Sequence, residues 1–133
     1  AEFVTLSPVP GFTRWLEGAD TGDAAACRDG LVYGPPPEDL KPLLLQQAAQ
    51  YFLEAKRPDG RPPDPVARFH LGNGAELHAI HWMGDTSDKG IAQAAGLMVN
   101  YRYRLDRIEA NHEAYAESGE IAASRSARGP LKG

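Results

Sequence analysis

The chain has 133 residues, 42% hydrophobic and 24% charged, enough for one small domain built on one core. Its 18 acidic and 14 basic side chains leave a net charge of -4. That excludes a basic footprint for nucleic acid and a polybasic membrane signal, and no apolar run approaches the length that spans a bilayer.

In chain order, Glu2 to Leu6 reads as a strand with apolar side chains on both faces, as in a sheet covered on each side. It opens with no secretory signal pattern, and the lone cysteine, Cys27, cannot form an internal disulfide. A reducing, cytoplasmic setting is the expectation. The strand ends on Ser7, followed by Pro8, Pro10 and Gly11. Thr13 to Leu16 is compatible with a helical turn. Glu17 to Pro37 is rich in Gly, Asp and Pro; a long flexible loop is expected there, with Cys27 exposed in it. Leu40 to Lys56 shows helical spacing, with Pro42 suited to a first turn, and "RPDGRPPDP" over Arg57–Pro65 ends it.

Val66–Leu71 and Ala75–Trp82, separated by "GNG", read as the arms of a β-hairpin. Gly84–Gly90 is a polar loop, and Ile91–Ala95 a short helix capped by Ser87 or Asp88. Leu97–Leu105 alternates as a strand, with Val99, Tyr101 and Tyr103 on one face. Asp106–Ala116 and Glu120–Ala127 read as helices, and "RGPLKG" as a tail. The pattern is mixed α/β (α+β).

Few residue clusters carry recognisable chemistry. His70, between Phe69 and Leu71, is either a rigidly held and tuned site group or a satisfied structural histidine. His78 and His81, three apart on a strand, are expected on opposite faces, which is poor geometry for a shared metal. His112 is expected to pack or cap. Ser7 is not in a GxSxG elbow, and "GNG" lacks the context of a phosphate cradle. The residues alone leave Ser7, His70 and Tyr103 as a possible polar site.

Several stretches together carry more. "FVTLSPVPGFTRWL", "DPVARFHLGNGAEL", "WMGDTSDKGIAQAAGLMVNYRYRL", "IEANHEAY" and "GEIAASR" resemble the C-terminal part of the malonyl-CoA decarboxylase family, in the family's order. The resemblance covers most of the chain outside Glu17–Pro37. It implies an acetyltransferase-like (GNAT) fold, of which residues 1–133 would be the C-terminal half. The implied enzyme is a carboxy-lyase that converts malonyl-CoA to acetyl-CoA and carbon dioxide, with no cofactor beyond the CoA thioester substrate. It also implies the catalytic pair Ser7 and His70, with Tyr103 at the active site, and a homo-oligomer with no nucleic-acid or membrane partner. On that footing Ser7 ends its strand because it is presented to the malonyl group.

Two departures accompany the resemblance. The family's upstream half, with its CoA-pyrophosphate loop, has no counterpart in this sequence, and His81 stands where the family tends to carry Asn. The expected alternatives are another acyl-CoA enzyme on the same scaffold, such as an acyltransferase, or an inactive acyl-CoA-binding fragment.

Overall fold

The computed structural model describes residues 2–132. Three strands, β1 (Glu2–Ser7), β2 (Glu76–His81) and β3 (Met98–Arg104), form an antiparallel sheet in the order β1-β3-β2. β3 is therefore central. In its register with β1, Phe3 lies opposite Tyr103, Thr5 opposite Tyr101 and Ser7 opposite Val99. Alternation then puts Thr5, Ser7, Leu77, Val99, Tyr101 and Tyr103 on one face. The helices gather on that face.

The helices are α1 (Phe12–Gly18), α2 (Gly22–Gly30), α3 (Lys41–Leu53), α4 (Pro65–Gly72), α5 (Asp88–Ala94), α6 (Ile108–Ser118) and α7 (Arg125–Lys132). The core joins Phe12 and Leu16 of α1, Leu44, Ala48 and Phe52 of α3, and Leu77, Val99 and Tyr101 of the sheet. Leu44 and Phe52 are fully buried, worth about 1.5–3 kcal/mol each in apolar transfer. The other face of the sheet is open: Val4 and Leu6 are exposed, beside Asn100 and Arg102. On its outer side β1 pairs with nothing among the described residues. Its apolar residues are not covered on both faces as the sequence suggests.

Other expectations also change. The region Glu17–Pro37 is not one loop, because α2 occupies its middle. Thr21 caps α2 by accepting from the Ala24 amide at 3.1 Å, and three consecutive alanines favour helix over the turns that Gly and Asp suggest. Ala24 and Cys27, three apart, face the core, so Cys27 is buried rather than exposed. Burial pushes its thiol up to about 11. A thiol-specific disulfide reagent is therefore expected to leave Cys27 essentially unlabelled in the native protein and to label it completely in denaturant. Fast native labelling would contradict the buried site.

The hairpin is likewise replaced. Val66–Leu71 lies in α4, so His70 is helical and the described residues form three strands rather than four. Asp64 is the N-cap, its Oδ2 accepting from the Ala67 amide at 2.9 Å, and Pro65 fills the first turn. "GNG" is then the end of α4, where Asn73 N–H reaches the Phe69 and His70 carbonyls. Gly74 turns into β2 with φ of +90°. His112 serves this junction, with Nδ1 2.7 Å from the Gly72 carbonyl oxygen. In the last segment, residues 122–124 run alongside β2 rather than in a helix. The final helix is α7, which takes in most of the expected tail; Gly133 lies outside the described residues.

Candidate active site

The site is built where β1, β3 and α4 meet. β1 delivers Ser7 at its last position, 5% exposed, with Pro8 immediately after it to stop the strand. α4 lies against the same face and brings His70 Nε2 to 3.4 Å from Ser7 Oγ. β3 brings the Tyr103 hydroxyl to 2.5 Å from His70 Nδ1. The three residues singled out in the sequence are thus contiguous, although Ser7 and His70 are far apart in the chain.

Three further residues complete the arrangement. Thr5, two positions before Ser7 on the same face, places Oγ1 2.9 Å from Ser7 Oγ. Tyr101 lies flat under the histidine, with ring centroids 4.5 Å apart and planes inclined by 20°. Phe3 stacks on Tyr103 at 4.7 Å. The signal for Thr5 was available, because strand alternation groups residues 3, 5 and 7. Tyr101 reads in the sequence as core, and it is core: its hydroxyl is buried without a hydrogen-bond partner among the described residues. Burial raises its pKa well above the usual phenol range.

The electrostatics follow from desolvation. Burial lowers the pKa of His70 and raises that of Tyr103, so at neutral pH both are uncharged. A neutral imidazole has one N–H and one acceptor nitrogen. If Tyr103 donates to Nδ1, then Nε2–H points at Ser7, and Ser7 donates to Thr5. If Nδ1–H donates to Tyr103, then Nε2 accepts from Ser7. Tyr103, His70, Ser7 and Thr5 therefore form one hydrogen-bonded chain with two possible polarities. Such a chain can move a proton from one end to the other without a net charge resting in the middle.

The structure does not bring the other histidines into this group. A register shift between Leu77 and Ala79 puts an extra residue, His78, into β2. Beyond that bulge His81 pairs with Met98 and lies on the same face as Asn100, whose Oδ1 its Nε2 hydrogen-bonds. His78 Nδ1 lies 3.9 Å from Glu76 Oε1. The two histidines therefore share the open face, not opposite faces as alternation alone predicts. His81 touches the site only indirectly, because Asn100 Nδ2 donates to the Thr5 carbonyl at 2.8 Å. Among the described residues no group of three His, Cys, Asp or Glu side chains is placed to hold a metal ion, and no helix is long and apolar enough to cross a membrane.

Comparison with known proteins bears on this geometry. The family model described as "Malonyl-CoA decarboxylase C-terminal domain" matches residues 34–133. The chain belongs to the malonyl-CoA decarboxylase family. Mitochondrial malonyl-CoA decarboxylases of Anser anser anser and Rattus norvegicus are 35% and 38% identical to it, over 92% of this chain. The crystal structure of malonyl-CoA decarboxylase from Agrobacterium vitis superimposes with a TM-score of 0.86 at 48% identity, covering 98% of this chain. That from Rhodopseudomonas palustris gives 0.84 at 51% identity, covering 96%. The chain spans about a third of the length of these malonyl-CoA decarboxylases: 30% and 31% of the two vertebrate sequences, 36% and 34% of the two bacterial structures.

Proposed function

We propose that the Ser7–His70–Tyr103 site belongs to an enzyme that decarboxylates malonyl-CoA to acetyl-CoA. The observation that carries this is the contiguity of a strand-end hydroxyl, a neutral imidazole and a phenol in a chain of the malonyl-CoA decarboxylase family.

The chemistry requires little more than these groups. A malonyl thioester carries its own electron sink. When the bond from the carboxylate carbon to the methylene carbon breaks, carbon dioxide leaves and the electron pair becomes a thioester enolate. The protein must orient the carboxylate, exclude water from it, and deliver one proton to the enolate carbon. In this reading Ser7 Oγ–H holds the departing carboxylate. His70 Nε2–H then supplies the proton to carbon, directly or through Ser7, while Nδ1 takes the proton of Tyr103. After carbon dioxide leaves, Nδ1 returns its proton to the Tyr103 oxygen and Nε2 takes one from solvent, so each turnover consumes one proton and leaves every side chain as it began. With the carboxylate bound, Thr5 Oγ1–H donates to Ser7 Oγ, which leaves the Ser7 proton for the carboxylate.

The three strands fit the proposal as part of an acetyltransferase-like sheet, which the outer edge of β1, unpaired among the described residues, supports. The acyl-CoA surface would then be completed by parts of the family fold that this chain does not span.

The deciding experiment measures acetyl-CoA formation from malonyl-CoA by the natural full-length polypeptide, in ordinary water and in deuterium oxide. The expected product carries one solvent deuterium in its methyl group. Ser7→Ala is expected to lower turnover by at least about 10²-fold, and wild-type turnover in that variant would overturn the reading. Thr5→Val keeps the side-chain shape and removes the hydroxyl. It is expected to lower turnover by up to about tenfold, the equivalent of one net hydrogen bond.

A further inference from the structure

Ser7 and His70 lie on separate elements, yet their contact is 3.4 Å, near the limit of a hydrogen bond. A displacement of half an ångström would break it. The structure also shows what ties the two elements together away from the reacting groups. Asp64, fully buried, is the N-cap of α4 through Oδ2. Its other oxygen, Oδ1, accepts from the Tyr51 hydroxyl of α3 at 2.8 Å and from the Gly11 amide at 3.4 Å. Gly11 closes the Ser7–Gly11 turn and is the N-cap of α1. One carboxylate therefore grips the turn that follows Ser7 and the helix that carries His70.

The fit around it is tight. A Cβ at Gly11 would stand 2.5 Å from the Tyr51 hydroxyl. That oxygen cannot swing away, since the Tyr51 ring is packed by Phe12, Trp15 and Phe52 at centroid distances of 5.7, 5.4 and 5.4 Å. The backbone itself is no obstacle to alanine, because φ of Gly11 is -104°. The hydroxyl of Tyr51 is thus the specific obstacle to a side chain at position 11.

We infer that Gly11, Tyr51 and Asp64 form a positioning lock that sets the Ser7–His70 distance, and that their role in turnover is exerted through this distance alone. The inference rests on the proposed use of Ser7 and His70. Gly11→Ala pushes the turn away from α3 and α4 and lengthens the contact. Tyr51→Phe removes the obstructing oxygen, so the double variant seats the turn again.

The test uses Gly11→Ala, Tyr51→Phe and their combination in the natural full-length polypeptide, with Ser7→Ala in parallel. Two quantities are read: kcat and KM for malonyl-CoA, and the ring nitrogen resonances of His70, assigned by their loss in His70→Asn. Gly11→Ala is expected to lower kcat by about 10²-fold, the usual cost of a misplacement near 1 Å, with KM within about twofold, and to move the His70 resonances. The double variant is expected to recover at least about tenfold of kcat and to return the resonances towards wild type. Wild-type kcat in Gly11→Ala, or a double variant no better than Gly11→Ala, would overturn the lock. Should Ser7→Ala keep full turnover, the functional reading fails instead. The resonances still decide the lock, since unmoved His70 signals in Gly11→Ala refute it and signals restored in the double variant support it.

Discussion

His70→Asn is expected to lower malonyl-CoA turnover by about 10²–10⁴-fold, the range over which positioned acid–base groups act, while acyl-CoA affinity stays within a few-fold. The asymmetry comes from what each atom of the imidazole does. Nδ1 meets Tyr103 and Nε2 meets Ser7; the shorter asparagine can satisfy one neighbour but cannot reach both. The proton path is cut, whereas the surface that would hold the bulk of a CoA thioester is left alone. Equilibrium binding of a non-reacting acyl-CoA, measured beside single-turnover rates, separates the two effects. Equal losses in both would assign His70 to binding.

The same variant should change the response of stability to acid. Burial lowers the pKa of His70 from its ordinary 6.5. As pH falls through 6.5 the unfolded chain takes up this proton before the folded one does. The contribution of His70 to stability is therefore complete above 6.5 and is lost as pH falls towards the folded value. Melting temperatures from pH 7.5 to 5 should decline less steeply in His70→Asn than in wild type, and identical slopes would contradict the assignment.

Gly74→Ala is the second large effect, and here the loss is of structure. With φ of +90°, residue 74 sits where an L side chain costs about 1–2 kcal/mol. A Cβ there would also run into the backbone carbonyl of Ile108 and lie 2.9 Å from Ile108 Cγ2. Neither can retreat easily, because α6 is fastened at this point: Asn111 Nδ2 donates to the Gly74 carbonyl at 3.1 Å. Overpacking adds about 1–3 kcal/mol. The sum is a large share of the about 5–15 kcal/mol that stabilises a typical domain. The midpoint of thermal unfolding should fall by about 10 °C or more. Gly22→Ala is the matched control. Nothing lies within 4 Å of a Cβ at Gly22, and alanine favours the helix it begins, so its melting temperature should hold or rise. Equal melting of the two variants would mean that the α4–β2 junction is not tight.

Much of this architecture is legible in the residues, and the failures have definite causes. β1 and β3 follow from alternation, and the spacing of Leu44, Ala48, Tyr51 and Phe52 marks α3. α4 is harder. Val66, Phe69 and Leu71 satisfy a short strand about as well as a helix, and only the Asp64–Pro65 pair, a cap followed by a first-turn proline, separates the two. Once α4 is taken for a strand, "GNG" becomes a hairpin turn by default. The bulge at His78 has no local signature, and it reverses the face of every residue after it. For the site, the residues alone leave Ser7, His70 and Tyr103 as a possible polar site, and the family resemblance supplies their roles. Asp64 stays hidden, because nothing in "PPDP" says that its carboxylate will be buried between two other elements.

The strand order carries one more consequence, which concerns folding rate. Among the described residues β1 pairs with one strand, about ninety residues further along the chain, whereas β2 and β3 are about twenty apart. Closing the larger loop costs more chain entropy before any contact compensates for it, and such pairings slow folding. The β2–β3 pair with α5 between them can therefore assemble early, with Tyr103 and α4 already near one another. Ser7 arrives last, with β1. Recovery of turnover after dilution from denaturant would consequently lag behind the recovery of helical signal, and the reaction would itself report the slowest step in building the molecule.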